Sequence, residues 1–172
     1  ILKALGSGEI AIVSRRKERL EITKKAGFTN TYSSLDEDYI EKLLQFSYNN
    51  GFDYVIETSG SIETIKLAFQ LVKNKGKICY IGTPKSDLTF TVREWEFLNR
   101  KEASIVGSWM SYSAPFPGEE WKSVSALFQN GKIKIYPEMI HNIFPLKEVQ
   151  EAFACFNEKQ GVMGKVLIDS EM

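Results

Sequence analysis

Between residues 9 and 82, short apolar runs alternate with stretches of helical periodicity, and this alternation narrows the possible folds more than any other feature of the sequence. Residues 9–13 read as a short strand. Residues 17–26 read as a helix with Leu20, Ile22 and Ala26 available for burial, closed by Gly27. A brief strand at 29–32 leads to Asp36-Glu37-Asp38, acidic residues that suit a helix N-terminus, followed by Ile40, Leu43, Leu44 and Ser47 on one face and a terminating Gly51. Residues 52–57 then read as a strand, 61–72 as a helix and 76–82 as a strand. Strands and helices in this order pair in parallel through right-handed crossovers, so the fold class is α/β, with a doubly wound parallel sheet.

The rhythm changes beyond residue 82. A helix at 92–99 precedes a strand at 103–106, and residues 109–118 form a proline-bearing loop with Trp109, Ser111, Tyr112, Ser113 and Phe116. A helix at 119–129, an extended stretch at 137–143, an amphipathic helix at 146–156 and a strand at 164–168 complete an α+β segment. The break near Trp109 divides a domain of residues 1–108 from a segment of residues 109–172. At the other end, ILKALG reads as the tail of a helix with neither an initiator Met nor a cap before it, so the chain is expected to be the later part of a larger protein.

Charge and cysteine content exclude several classes. Lys and Arg number 22 and Asp and Glu 22, so no global field recruits nucleic acid or an anionic membrane, and any anion site must be local. No apolar run approaches the roughly 18 to 20 residues that cross a bilayer. Cys79 and Cys155 are far apart and each sits in an apolar run, which fits a reducing compartment, the cytoplasm, better than a disulfide framework. Zinc ligation needs three or four Cys, His or carboxylate groups converging at about 2 Å. With His141 as the one histidine and no C-x-x-C pair, neither it nor the two cysteines are metal candidates.

In a doubly wound sheet the ligand lies across the carboxyl ends of the strands. Those ends are Ser14-Arg15-Arg16, Glu57-Thr58-Ser59-Gly60, Gly82-Thr83-Pro84 and Gly107-Ser108-Trp109. Either glycine alone, Gly60 or Gly82, is equally explained as a tight strand-to-helix turn; together, in register with the strands, they favour a nucleotide site. Lys73-Asn74-Lys75 reads as a solvated helix end, and Trp95 and Phe97 as packing residues. Trp109, Tyr112, Phe116 and Trp121 either line a sugar pocket or close a domain hinge.

The order of VIETSG, GKICYIGTP, RKEASIVGSW and MGKVLI resembles the C-terminal half of zinc-dependent medium-chain alcohol dehydrogenases. Within that family, IVGSWMSYSAPFPGEEW is similar to the corresponding stretch of dehydrogenases acting on polyol phosphates such as galactitol 1-phosphate. The resemblance implies an oxidoreductase that moves a hydride between a nicotinamide cofactor, NADP or NAD, and a secondary alcohol of a polyol or sugar phosphate. It also implies a first strand, a G-x-G-x-x-G turn and the catalytic zinc ligands ahead of Ile1, so that this chain is a Rossmann-type sheet lacking its first strand and glycine turn, with an α+β segment that returns to an absent catalytic domain, and holds no catalytic or metal residue. The isolated chain is therefore expected to be inactive.

Cofactor contacts follow from the resemblance position by position. Ser14 stands where NAD-using members place an Asp on the adenosine ribose; Arg15 is beside it, and Arg19 falls where the family often has a basic ribose contact. Ser14 with Arg15 favours the 2′-phosphate of NADP. Thr58 and Ser59 match positions near the nicotinamide ribose, Thr83 a carboxamide contact and Val106 a backbone contact to the same group. Lys165 either approaches the pyrophosphate or is a solvated surface lysine. The strand at 103–106 matches the sheet edge that pairs across a two-fold axis, implying a homodimer. Two alternatives remain open: a non-catalytic nucleotide-binding or dimerisation module, and a Rossmann-like methyltransferase, which would usually carry an acidic residue where Ser14 stands.

Overall fold

The computed structural model describes residues 1–110, 114–157 and 161–171. Ser111, Tyr112 and Ser113, which the sequence places in the aromatic loop, lie outside the described residues. Contacts divide the chain into two compact units, Ile1–Asp36 with Glu119–Met172, and Glu37–Gly118.

In the first unit, a helical turn in which the Leu5 N–H donates to the Ile1 carbonyl (2.9 Å) precedes strand β1 (Ile12–Ser14), helix α1 (Lys17–Lys25) and strand β2 (Thr31–Ser33). Helix α1 has a polar surface because it buries only Leu20. The same unit holds helix α5 (Glu119–Gln129) and strand β6 (Ile140–Pro145). Beyond them lie helix α6 (Val149–Ala154), flanked on each side by a 3-10 turn, and strand β7 (Lys165–Asp169). Phe144, Ala152 and Cys155 are buried together, with Val162 and Val166 packed on them. Lys25 at the end of α1 pairs with Glu138 at 2.8 Å.

The second unit contains helix α2 (Tyr39–Phe46), strand β3 (Phe52–Glu57), helix α3 (Ile62–Leu71), strand β4 (Val72–Tyr80), helix α4 (Val92–Arg100) and strand β5 (Ser104–Gly107). Helix α3 begins where the Ser61 hydroxyl accepts from the Thr64 N–H at 3.2 Å. It buries Ile65, Leu67, Ala68, Phe69 and Leu71, a stripe of helical spacing. Ala68, Phe69, Val72 and Ile78 form the core, with Phe97, Leu98 and Ala103 among the side chains packed against it. Each large apolar side chain buried this fully contributes about 1.5–3 kcal/mol. Helix α4 starts with a capping box in which Thr91 and Glu94 exchange hydrogen bonds.

Every strand pair among the described residues is parallel, as the alternation requires, in three hydrogen-bonded groups: β1-β2, β3-β4-β5 and β6-β7. The group β1-β2 belongs to the first unit and β3-β4-β5 to the second, each hydrogen-bonded within itself.

Two local expectations are corrected. Lys73-Asn74-Lys75 is not a helix end but the irregular start of β4. Val72 leaves the helix directly into extended backbone and pairs with Phe52, and a register shift separates that pair from Tyr54↔Lys77. Lys73 pairs with Asp53, and the Lys75 N–H donates to the Lys101 carbonyl at 2.7 Å. The extended stretch expected at 137–143 begins instead as a 3-10 turn, Pro137–Met139, because Pro137 presets a helical φ at the first position; pairing with β7 starts at Ile140. Trp95 and Phe97 pack as expected: Trp95 lies against Phe69 and Phe90 at centroid separations of 6.2 and 5.9 Å, and Phe97 joins the core.

Candidate functional site

The carboxyl end of β3 is organised around one buried acid. Glu57 is 5% exposed, the last residue of an apolar strand. Its Oε1 accepts from the Ser59 N–H (2.8 Å), the Ser59 hydroxyl (2.6 Å) and the Thr64 hydroxyl (2.8 Å). The Gly60 N–H reaches both carboxylate oxygens at 3.1 Å. Burial pushes the carboxyl pKa up, but the hydroxyls of Ser59 and Thr64 and the N–H groups of Ser59 and Gly60 outweigh it and hold the acid below its ordinary range. Glu57 is therefore an anion at neutral pH, satisfied by its own turn and the first turn of α3.

That turn is locked to the one after β4. The Glu57 carbonyl accepts from the N–H groups of Ile81 (2.8 Å) and Gly82 (3.2 Å). Gly60 has a φ of +69° and lies so near the Thr83 carbonyl that no side chain fits there. A Cβ on Gly82 would overlap the Gly60 nitrogen and sit 2.8 Å from Glu57 Oε2. The turns carrying Thr58 and Thr83 are thus interlocked backbone to backbone. Thr58 and Thr83 are exposed, and neither hydroxyl holds a partner among the described residues. Ser59 differs, because its hydroxyl donates to Glu57 and accepts from the Ser61 N–H at 3.1 Å. Val106 is exposed on β5, paired with Cys79 of β4.

An apolar cleft of about 250 Å³ lies in the same unit, lined by residues that include Phe69, Tyr80, Gly82, Phe90, Trp95 and Ile105. Tyr80 donates its hydroxyl to the Ile65 carbonyl at 2.8 Å. Burial, with the nearby Glu57 charge adding to it, pushes the phenol up to about 12.

In the other unit, β1 delivers Ser14 to its carboxyl end. The Ser14 hydroxyl accepts from the Arg16 N–H at 3.2 Å, and its carbonyl from the Ser34 N–H at 3.1 Å. Arg16 turns away to donate to the Val162 carbonyl at 3.3 Å. Arg15 is exposed with no partner among the described residues, and Arg19 is exposed on α1. Lys165 is exposed at the start of β7.

Sequence reading missed two features. Glu57 reads as one more polar residue in a turn, although an acid closing an apolar strand with hydroxyls two and seven residues later is a detectable pattern. The contact of Arg16 with Val162 leaves no local signal, since the two are 146 positions apart. Among the described residues no three His, Cys, Asp or Glu side chains are grouped to hold a metal ion, and no helix is long and apolar enough to cross a membrane.

Residues 1–130 match the family model described as zinc-binding dehydrogenase. The chain is 29% identical over 141 residues to galactitol 1-phosphate 5-dehydrogenase of Escherichia coli, covering 80% of this chain and 40% of that protein. It is 27% identical over 169 residues to L-threonine 3-dehydrogenase of Bacillus velezensis, covering 98% and 46% respectively. The crystal structure of galactitol-1-phosphate dehydrogenase from Escherichia coli matches with a TM-score of 0.85 at 28% identity, over 97% of this chain and 48% of that one. The chain thus spans less than half the length of these relatives. With the family model running through the parallel strand–helix units and well beyond, this chain belongs to the zinc-binding dehydrogenases.

Proposed function

We propose that the chain is the coenzyme-binding part of an oxidoreductase that moves a hydride between NADP, or less favourably NAD, and a secondary alcohol of a polyol phosphate of the galactitol 1-phosphate kind. The observation that carries this reading is the interlocked pair of turns at the carboxyl ends of β3 and β4. They hold exposed, uncommitted hydroxyls where a doubly wound sheet receives its ligand. Similarity to galactitol 1-phosphate 5-dehydrogenase supports the substrate class.

The exposed, unpartnered hydroxyls of Thr58 and Thr83 fit the nicotinamide end of a dinucleotide. When bound, the nicotinamide supplies the hydride chemistry. Thr58 and Thr83 would fix its ribose and carboxamide, Ser59 would act through its turn, and Val106 would offer its backbone. Toward the adenosine, Ser14 removes the negative charge that would repel a 2′-phosphate, and the free guanidinium of Arg15 can bind that phosphate bidentately; Arg19 stands nearby in sequence on α1. No zinc ligand set is grouped among the described residues.

We further propose that residues 1–108 form the coenzyme domain and 109–172 a segment that completes a catalytic domain, and that the protein is cytoplasmic, its two cysteines being unpaired. Strand β5 is an exposed edge along its whole length and is assigned as the dimer contact. Light scattering should show a dimer that Ile105→Pro dissociates.

Steady-state assays of the full-length protein test the main reading. Oxidation of galactitol 1-phosphate should exceed that of L-threonine, and kcat/KM should be higher with NADP than with NAD. Turnover of L-threonine in preference, or comparable kcat/KM with NAD, would overturn the substrate or the cofactor assignment respectively. Residues 1–172 alone should show no turnover and only weak dinucleotide binding.

A further inference from the structure

Glu57 is the buried acid at the carboxyl end of β3, with its carboxylate oxygens taken up by hydrogen bonds within the protein. What it holds belongs to the two turns that expose Thr58 and Thr83 and to the first turn of α3. Oε1 gathers the Ser59 N–H, the Ser59 hydroxyl and the Thr64 hydroxyl within 2.8 Å, tying the turn after β3 to the first turn of α3. Oε2 faces the Gly60 N–H at 3.1 Å and the side of Gly82 where a Cβ would stand 2.8 Å away. Moving the carboxylate therefore moves Gly60, and moving Gly60 displaces the Thr83 carbonyl packed against it.

We propose that Glu57 is a positioning residue for the nicotinamide end of the cofactor: without touching it, the carboxylate sets the spacing of the turns that carry Thr58 and Thr83. The inference rests on the reading of this chain as coenzyme-binding. Its consequence is selective. The adenosine end of a dinucleotide is assigned to Ser14 and Arg15, which share no hydrogen bond with this network. Loss of the Glu57 anchor should weaken the nicotinamide contacts and spare the rest.

Glutamine is the informative replacement. Glu57→Gln keeps the shape, but it removes the charge that strengthens five donor contacts and turns an NH2 group toward either the Gly60 N–H or the Ser59 and Thr64 donors. The experiment is isothermal titration calorimetry on the full-length protein. The probes are the better-bound of NAD⁺ and NADP⁺ and the matching ADP-ribose or 2′-phospho-ADP-ribose that lacks nicotinamide. Glu57→Gln should weaken the complete cofactor about tenfold or more and the truncated one less than twofold. Thr64→Val, which removes one donor at a distance from either ligand, should show the same selectivity at about threefold, and it carries the test should Glu57→Gln fail to fold. Equal weakening of both probes, or no change in either, would overturn the positioning role. Failure of the unmodified protein to bind either probe would instead overturn the coenzyme-binding reading and the inference with it.

Discussion

The amide nitrogen of Gly60 fills the space that a side chain on Gly82 would occupy. Because the obstructing atoms are backbone, no rotamer change can relieve the overlap. Gly82→Ala should destabilise the fold by about 3 kcal/mol, the upper end of overpacking costs, read as a lower urea midpoint at unchanged slope. Gly107→Ala is the control: nothing stands within 4 Å of its added Cβ, and the effect should stay within about 0.5 kcal/mol.

Arg15 and Arg16 are adjacent but should behave differently. The Arg16 guanidinium is engaged with the Val162 carbonyl, whereas Arg15 is exposed and uncommitted. A charge-assisted contact contributes about 1.5–3 kcal/mol, so Arg15→Ala should lower the NADP-over-NAD ratio of kcat/KM by about ten- to a hundredfold. Arg16→Ala should change that ratio less than about twofold. Ser14→Asp with Arg15→Ile should reverse the preference. An equal effect of Arg15→Ala and Arg16→Ala would show that the 2′-phosphate is not read by Arg15.

Lys101 closes the C-terminal end of α3. Its ammonium donates to the carbonyls of Phe69 (3.1 Å), Gln70 (2.7 Å) and Val72 (2.6 Å) and lies 5.5 Å from the Phe97 ring centroid. Burial lowers its pKa, yet the three carbonyls use all of its protons. Lys101→Met keeps the length and removes the donors, at an expected cost of about 1.5–3 kcal/mol in equilibrium unfolding. Lys75→Met, at an exposed position paired only to Glu102 at 3.7 Å, should cost under about 1 kcal/mol.

Tyr80 predicts a pH dependence on the alkaline side. Its phenol is pushed up to about 12, above the ordinary value near 10, so the folded state favours the protonated form. The associated stability is present in full below pH 10 and is lost as the pH rises toward 12. In Tyr80→Phe this part of the alkaline decline should disappear. The phenolate absorbance titration of the folded protein should likewise lose its component near pH 12.

The parts of this fold that were legible in the sequence are those encoded by neighbours along the chain. Ser61 followed by Thr64, the apolar stripe of α3 and the runs VIETSG and GKICYIGTP announce their elements because cap, periodicity and turn chemistry are local. Lys73-Asn74-Lys75 misled for the same reason. A polar tripeptide before Gly76 has the composition of a helix end, and a shift in strand register leaves no periodic trace. At the site, strand ends marked where Thr58 and Thr83 would be exposed, but not that Ser59 would turn inward to Glu57. That distinction depends on burial, which follows from packing across the unit.

Val72 is at once the residue that ends α3 and the first rung of β4 against β3. With no connecting loop, helix and strand have no hinge between them, and the carbonyl of Val72 is itself pinned by Lys101. Amides from the body of α3 through Ile78 should therefore exchange with deuterium as one cooperative block, opening only when the unit opens. Any breathing that admits a ligand must be taken up beyond the interlocked turns, in the exposed stretch at 84–89, where early exchange marks the give in an otherwise indivisible piece.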